Sequence, residues 1–261
     1  MDREPAAPET FFAKYAAAYT TSERHARGAD LAILVEALAP RPEDRALDVA
    51  TGPGHTALAL APRVREVVGL DATEAMLAEA RKQAESRNVT NVRFQRGDAG
   101  SLPFPAGSFD IVTSRRAPHH FPRIDAFLSE AARVLAPGGR LGISDMCPDP
   151  ASAELLNHLE RLRDPTHASA LSDPEWTAGV ARAGLGLTFL QITTDHLSLE
   201  EWLAPVPLGG TEEDQVRSAL AQASPTELNA LGVRSEDGRV LGWEKRRILL
   251  VATRSREASS S

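Results

Sequence analysis

The stretch Ala46-Leu47-Asp48-Val49-Ala50-Thr51-Gly52-Pro53-Gly54-His55-Thr56, followed by Val67-Val68-Gly69-Leu70-Asp71, decides the fold of this chain. An apolar strand runs into a glycine-rich turn, a helix follows, and the next strand ends in a carboxylate. That order is the opening βαβ unit of a nucleotide-binding α/β domain. Two glycines let the backbone approach a ligand closely. Asp71, at a strand tip, can accept two hydrogen bonds from a ribose diol, roughly 1.5–3 kcal/mol each when charge-assisted.

Downstream, strands at 45–50, 66–70, 92–96, 109–114 and 139–145 alternate with helices at 55–62, 73–86 and 123–135. Such alternation predicts a mostly parallel sheet with helices on both faces. The second helix sets Ala75, Met76, Ala80 and Ala84 near the 3.6-residue period, and Pro137-Gly138-Gly139 reads as a turn. Upstream, residues 1–9 are polar and predicted disordered. Residues 11–19 read as a short amphipathic helix with Phe12, Tyr15 and Tyr19 near one face. Asp30 is the predicted cap of a helix over 31–38. Beyond Cys147 the alternation breaks. Helices are predicted at 151–163 and from Asp173 or Pro174 to 183, a strand at 187–195, a polar helical stretch at 198–230 and a last apolar strand at 246–253.

A chain of 261 residues holds one such domain with an excursion. The expected division is an N-terminal tail and lid over 1–28 and a single domain over 29–261. Within the latter, 44–146 is the cofactor-binding core and 147–254 the substrate cap and last strands. A formal charge of −7 disfavours a nucleic-acid partner, whose backbone calls for basic patches. No run of eighteen apolar residues suggests a membrane span, and no basic-then-apolar start suggests a signal peptide. The expectation is a cytoplasmic protein, monomeric or homodimeric, with a small-molecule partner. The single Cys147 excludes an internal disulfide and a cysteine-based zinc site. Asp145 and Asp149 are weak grounds for a magnesium site, so no metal is expected. The cofactor stays open at this point: Gly52-Pro53-Gly54-His55-Thr56-Ala57 also matches the G-x-G-x-x-A dinucleotide fingerprint, so an NAD-dependent oxidoreductase competes.

Further motifs narrow the choice. Gly97-Asp98-Ala99 follows the third strand, then come Leu102-Pro103-Phe104 and Gly107-Ser108-Phe109-Asp110-Ile111-Val112. With the opening unit, this series resembles the class I S-adenosylmethionine-dependent methyltransferases, and more narrowly the UbiE-like, methyltransferase type 11 branch. The resemblance runs from 11 to 145, extends to a subset of that branch over 146–195, and carries no motif over 196–245. It implies an α/β fold: a Rossmann-like, seven-stranded, mostly parallel sheet with a helical N-terminal lid and a helical cap insertion. It also implies an enzyme that takes S-adenosyl-L-methionine as cofactor and leaves S-adenosyl-L-homocysteine.

By the same resemblance, Ala50, Gly52 and Gly54 would pass under the methionine moiety, with Ala50 standing where the family pattern has a first glycine. Asp48 would organise that loop, Asp71 would hold the ribose, and Ala72 and Met76 would pack near the adenosine. Asp98 and the Ala99 amide would meet the adenine, and Ser114 and Arg115 would line the methionine end. The segment Ser22-Glu23-Arg24-His25-Ala26-Arg27-Gly28 resembles a lid over the cofactor, with Ser22, His25 and Gly28 on its side. Tyr19, Arg163 and His167 would line the substrate side. Several of these residues have plainer readings: Asp71 as a helix cap, Asp98 as a turn aspartate, His25 as a solvated loop residue, Arg163–Asp164 as a structural pair.

The acceptor chemistry falls to Ser114-Arg115-Arg116-Ala117-Pro118-His119-His120-Phe121, at the carboxyl edge of the sheet where ligands of such folds bind. His119 or His120 could take a proton from a phenol or enol, since imidazole titrates near neutrality. Arg116 could lower an acceptor's pKa. The plainer alternative makes His120 and Phe121 a packed corner. The expected reaction is methyl transfer to a phenolic, quinol-like or enolic carbon or oxygen. A non-catalytic cofactor-binding protein of the same fold is the other alternative.

Overall fold

The computed structural model describes residues 10–14, 20, 26, 28–203 and 210–256. Its strands are β1 (Arg45–Val49), β2 (Glu66–Asp71), β3 (Val92–Arg96), β4 (Phe109–Arg115), β5 (Leu135–Met146), β6 (Leu185–Ser198), β7 (Arg234–Glu236) and β8 (Arg239–Arg254). They form one sheet in the order β3-β2-β1-β4-β5-β8-β6, with the short β7 paired to β8. The first five strands are parallel. β8 runs antiparallel to both β5 and β6. The expected seven-stranded, mostly parallel sheet is therefore present, with β7 as an eighth, unforeseen strand. Chain order reverses between β1 and β4, which opens a crevice at their carboxyl ends.

Period-two alternation sorts the apolar residues onto two buried faces. Leu47, Val49, Val68, Leu70, Val112, Ile248 and Leu250 join Phe127, Leu128, Trp176 and Val180 from helices α4 (Ile124–Val134) and α6 (Asp173–Arg182). Their neighbours Ala46, Val67, Ile111, Leu249 and Val251 face Leu34, Leu38 and Leu60 from α1 (Ala29–Leu38) and α2 (His55–Leu60). Helix α3 (Glu74–Ser86) follows β2 and buries Met76, Leu77, Ala80 and Ala84. A third apolar cluster forms the cap. Leu155, Leu156 and Leu159 of α5 (Ala153–Arg163) pack with Leu197, Trp202, Val216, Leu220, Leu231 and Trp243. Described residues of 196–245, which carry no motif, thus build a core together with α5. Its helices are α7 (Leu199–Leu203), α8 (Gly210–Gln222) and α9 (Pro225–Leu231).

Several boundaries differ from expectation. Pro137-Gly138-Gly139 lies inside β5, not before it. Leu135 already pairs with Phe109, the register then slips, and pairing resumes at Ile111–Arg140. β6 and β8 extend beyond 187–195 and 246–253 because polar residues share their ladder: Asp195 pairs with Lys245 and His196 with Glu244. Among the described residues, 10–14 are helical, whereas Tyr15 and Tyr19 lie outside them.

Asp30 does not cap α1. Gly28 occupies the N-cap position, and Asp30 sits in the first turn with its side chain turned to the sheet. Its carboxylate accepts hydrogen bonds from Arg115 Nε at 2.7 Å, Arg116 Nη2 at 2.8 Å and Ser144 Oγ at 3.0 Å. Burial disfavours the anion, but hydrogen bonds from Arg116 and Arg115 outweigh it and hold the carboxyl well below the usual range. Removing one partner of a buried ion cluster strands the others, at about 3–5 kcal/mol. Asp30→Ala should therefore lower unfolding stability by about that amount in urea titration at neutral pH. Because the folded pKa is depressed, this contribution is complete above the ordinary carboxyl pKa of about 4 and fades as pH falls further.

Candidate active site

A cavity of about 590 Å³ opens at the carboxyl ends of the strands. One end is built by the turn after β1. Thr51 Oγ1 donates to Asp48 Oδ2 at 2.6 Å, and Thr113 Oγ1 to Asp48 Oδ1 at 2.7 Å. Asp48 is thereby a buried buttress under the turn and does not line the cavity. With burial dominant and hydroxyls as its side-chain partners, its carboxyl is pushed up to about 6. Ala50 and Gly52 both adopt left-handed backbone, with φ of 54° and 53°, which explains a preference for glycine at both places. The Gly52 amide donates to Asp71 Oδ2 at 2.8 Å, and the Thr73 amide to Asp71 Oδ1 at 2.9 Å. The nearly buried Asp71 still borders the cavity, and each oxygen keeps a lone pair for a ligand hydroxyl. Burial raises its pKa against these amide bonds. Ala72, Met76, Asp98 and Ala99 complete this wall. Asp98 also accepts from the Gly100 amide at 2.9 Å, so the turn-aspartate reading describes part of its bonding.

The other end gathers the segment after β4. His119 Nδ1 lies 2.6 Å from Asp145 Oδ1, and the His119 amide donates to Asp145 Oδ2 at 2.7 Å. A carboxylate on Nδ1 fixes that nitrogen as the protonated one and leaves Nε2 as the basic atom. His120 Nδ1 sits 3.0 Å from Thr166 Oγ1, and its ring packs 4.9 Å from that of Phe12. Burial and the neighbouring His119 push the His120 imidazole well below its usual 6.5. Arg163 pairs with Glu160 at 2.6 Å and stacks over Trp202. Arg115 and Arg116 border the cavity while both hold Asp30.

Other expected site residues lie elsewhere. Ser114 is fully buried, its hydroxyl without a partner among the described residues, and strand alternation turns it away from Arg115 and the cavity. Gly54 caps α2 against Ala80 and Phe94. Gly28 borders a separate shallow depression with Leu31 and Arg63. His167 is buried behind the wall, where its Nε2 meets Asn157 Oδ1 at 2.7 Å, and burial takes its pKa down to about 3. Tyr19, Ser22 and His25 fall outside the described residues. Asp149 is occupied by Arg246 and the Ala151 amide, so it does not join Asp145 in a carboxylate pair. Sequence reasoning missed Asp145 as the partner of His119, and it missed Lys245 and Arg247, which border the cavity from β8. The available signal was charged residues two apart at the start of an apolar strand, which share a face.

A methyltransferase-domain model matches residues 46–139. Over 214 residues the chain is 41% identical to the uncharacterized methyltransferase YcgJ of Bacillus subtilis, covering 81% of this chain and 83% of YcgJ. The chain belongs to the S-adenosylmethionine-dependent methyltransferases. The crystal structure of YcgJ superposes with a TM-score of 0.82 at 35% identity, over 87% of this chain and 99% of that one. A demethylmenaquinone methyltransferase of Thermus thermophilus is 48% identical over 111 residues, 42% of this chain and 50% of that protein. The glycine turn therefore belongs to a methyltransferase, not to an oxidoreductase, and the chain is an enzyme whose methyl donor is S-adenosylmethionine. In this methyltransferase a buried carboxyl with a raised pKa makes the native state bind more protons than the unfolded state. Asp48 should thus make stability fall as pH rises from about 4 to about 6. Melting temperatures of the wild type and Asp48→Asn, measured across that range, should shift in favour of the variant with rising pH. A pH-independent difference would refute the assignment.

Proposed function

We propose that the enzyme methylates a phenolic, quinol-like or enolic carbon or oxygen of a small molecule, with His119 as the base. The observation that carries this reading is the His119–Asp145 pair at the carboxyl edge of β4, on the same cavity as Asp71. The cavity suits the cofactor: a strand-tip carboxylate with spare lone pairs for a diol, and open space beside the positive-φ Gly52. Asp71 would hold the ribose hydroxyls, Asp98 and the Ala99 amide the adenine edge, Ala72 and Met76 the adenosine faces. Ala50 and Gly52 would leave room for the methionine chain.

When bound, the cofactor supplies a sulfonium methyl that is already activated. The protein's part is then to align the acceptor and exclude water, an effect that can reach about 7–11 kcal/mol. His119 Nε2 would accept the proton of the acceptor hydroxyl, with Asp145 steadying the imidazolium. His120, kept neutral, would serve as a wall with Phe12 and Phe121. Phe12 belongs to the N-terminal segment, which favours a lid role for that region. Arg116, engaged with Asp30, is better suited to positioning and local positive potential than to direct proton transfer. The name of the Thermus relative supports a quinol-like acceptor. Among the described residues no helix is long and apolar enough to cross a membrane; the proposed location is the cytoplasm.

Calorimetric titration with S-adenosylhomocysteine should give micromolar binding, whereas NADH should give none. Asp71→Ala should weaken the former by about 2–4 kcal/mol through lost charge-assisted bonds. His119→Ala should lower turnover by about 10²–10⁴ with cofactor affinity unchanged. An equal loss of S-adenosylhomocysteine binding in His119→Ala would move that residue into the cofactor site and overturn its role as base.

A further inference from the structure

Arg247 is a buried cation without a hydrogen-bond or ion-pair partner among the described residues. It is 6% exposed and borders the cavity, and its guanidinium forms no hydrogen bond or ion pair with any described residue. The acids whose charges act on it, Asp30 and Asp145, are engaged, and so is Glu160 beside the neighbouring Lys245. Asp30 holds Arg115 and Arg116, Asp145 holds His119, and Glu160 holds Arg163 and the Trp202 indole. Burial lowers the Arg247 pKa only to about 10, so the group stays charged at neutral pH. A charge taken largely out of bulk water and left unpaired is unfavourable in a folded protein, and this one faces the cavity. Lys245, two residues away and therefore on the same face of β8, also borders the cavity. Its nearest carboxylate, Glu160, stands 3.9 Å off and is shared with Arg163.

We propose that Arg247, with Lys245 beside it, is the subsite for an anionic group on the methyl acceptor, a carboxylate in the first instance. This rests on the methyltransferase reading above and narrows its substrate class from neutral phenols and enols to acidic ones. The sheet order separates the subsite from the cofactor turn. β8 lies three strands from β1, about 14 Å at ordinary strand spacing, and the opposing residue on β5 is Met146, just past Asp145. An acceptor tethered by its carboxylate at Arg247 would present its hydroxyl-bearing end toward His119. A guanidinium suits this task because its planar fork engages both carboxylate oxygens.

The test uses the full-length enzyme and 4-hydroxybenzoate against its uncharged methyl ester, by calorimetry at fixed ionic strength, with and without saturating S-adenosylhomocysteine. The acid should bind the wild type at least about tenfold more tightly than the ester, as expected for one or two charge-assisted bonds. Arg247→Gln should abolish that preference, Arg247→Lys should keep part of it, and Lys245→Met should reduce it. No preference in the wild type, or an undiminished one in Arg247→Gln, overturns the proposal. The wild-type comparison decides even if a variant does not fold. The competing source of the anion is the cofactor's own carboxylate. If Arg247→Gln weakens S-adenosylhomocysteine but not 5′-methylthioadenosine, which lacks that carboxylate, the acceptor assignment fails. If the wild type binds no S-adenosylhomocysteine, the functional reading fails instead, and the acid–ester comparison without it still decides the subsite.

Discussion

The buried carboxylate of Asp30 is the constraint on which the rest of the structure depends. It receives two guanidiniums and a serine hydroxyl, from the ends of β4 and β5, and so joins α1 to the sheet edge that floors the cavity. Consecutive strand residues point to opposite faces, so Arg115 and Arg116 could not both reach it from a regular strand. The chain solves this at Arg116, whose φ is 53°. A left-handed residue with a side chain costs about 1–2 kcal/mol, whereas each hydrogen bond between charged groups contributes about 1.5–3 kcal/mol. The bonds win, and the backbone turn they enforce starts the path into Ala117, Pro118 and His119. The position of the proposed base thus follows from an ion cluster that touches neither the base nor Asp145.

The same logic of directed burial separates the three histidines near that path. Their rings lie close together, with His119 4.0 Å from His120 and 5.6 Å from His167 between centroids. Burial drives His120 and His167 toward the neutral form. His119 alone of the three has a carboxylate on its ring, Asp145. Three adjacent cations would repel one another and lower every basicity.

What the sequence revealed and what it hid divide along the same physical line. The alternating strands from β1 to β5, the glycine turn and Asp71 were legible because local periodicity and backbone conformation determine them. The role of Asp30 was not, since its partners lie 85, 86 and 114 residues away and a first-turn aspartate resembles a cap. Asp145 was hidden similarly, 26 residues from His119. The β7–β8 hairpin did leave a mark in Asp237-Gly238, both at positive φ, the pattern of a two-residue hairpin turn. Its strands were too polar to support that reading. The third core was invisible because its residues are sparse: Leu197, Trp202, Val216, Leu220, Leu231 and Trp243 come from separate elements.

That third core connects the cap to the chemistry through one more buried acid. Glu160 accepts from Arg163 and from the Trp202 indole, and burial, which would raise its pKa, is outweighed by Arg163 and Lys245. The same carboxylate therefore fixes a cap helix, a core tryptophan and a cavity-lining arginine, with a cavity-lining lysine nearby. Burial brings that lysine down to about 7. The division of labour follows from the sheet order. β1 to β3 and their turns carry Gly52, Asp71 and Asp98, the residues proposed for the cofactor, and these stand in short local motifs. In the proposed reading β8 and α5 supply the acceptor side, with Lys245, Arg247 and Arg163 on the cavity, and long-range charge pairs of this kind leave no local pattern. This is why the methyl donor is readable from the residues in order, whereas the charges gathered around the cavity are visible only in the fold.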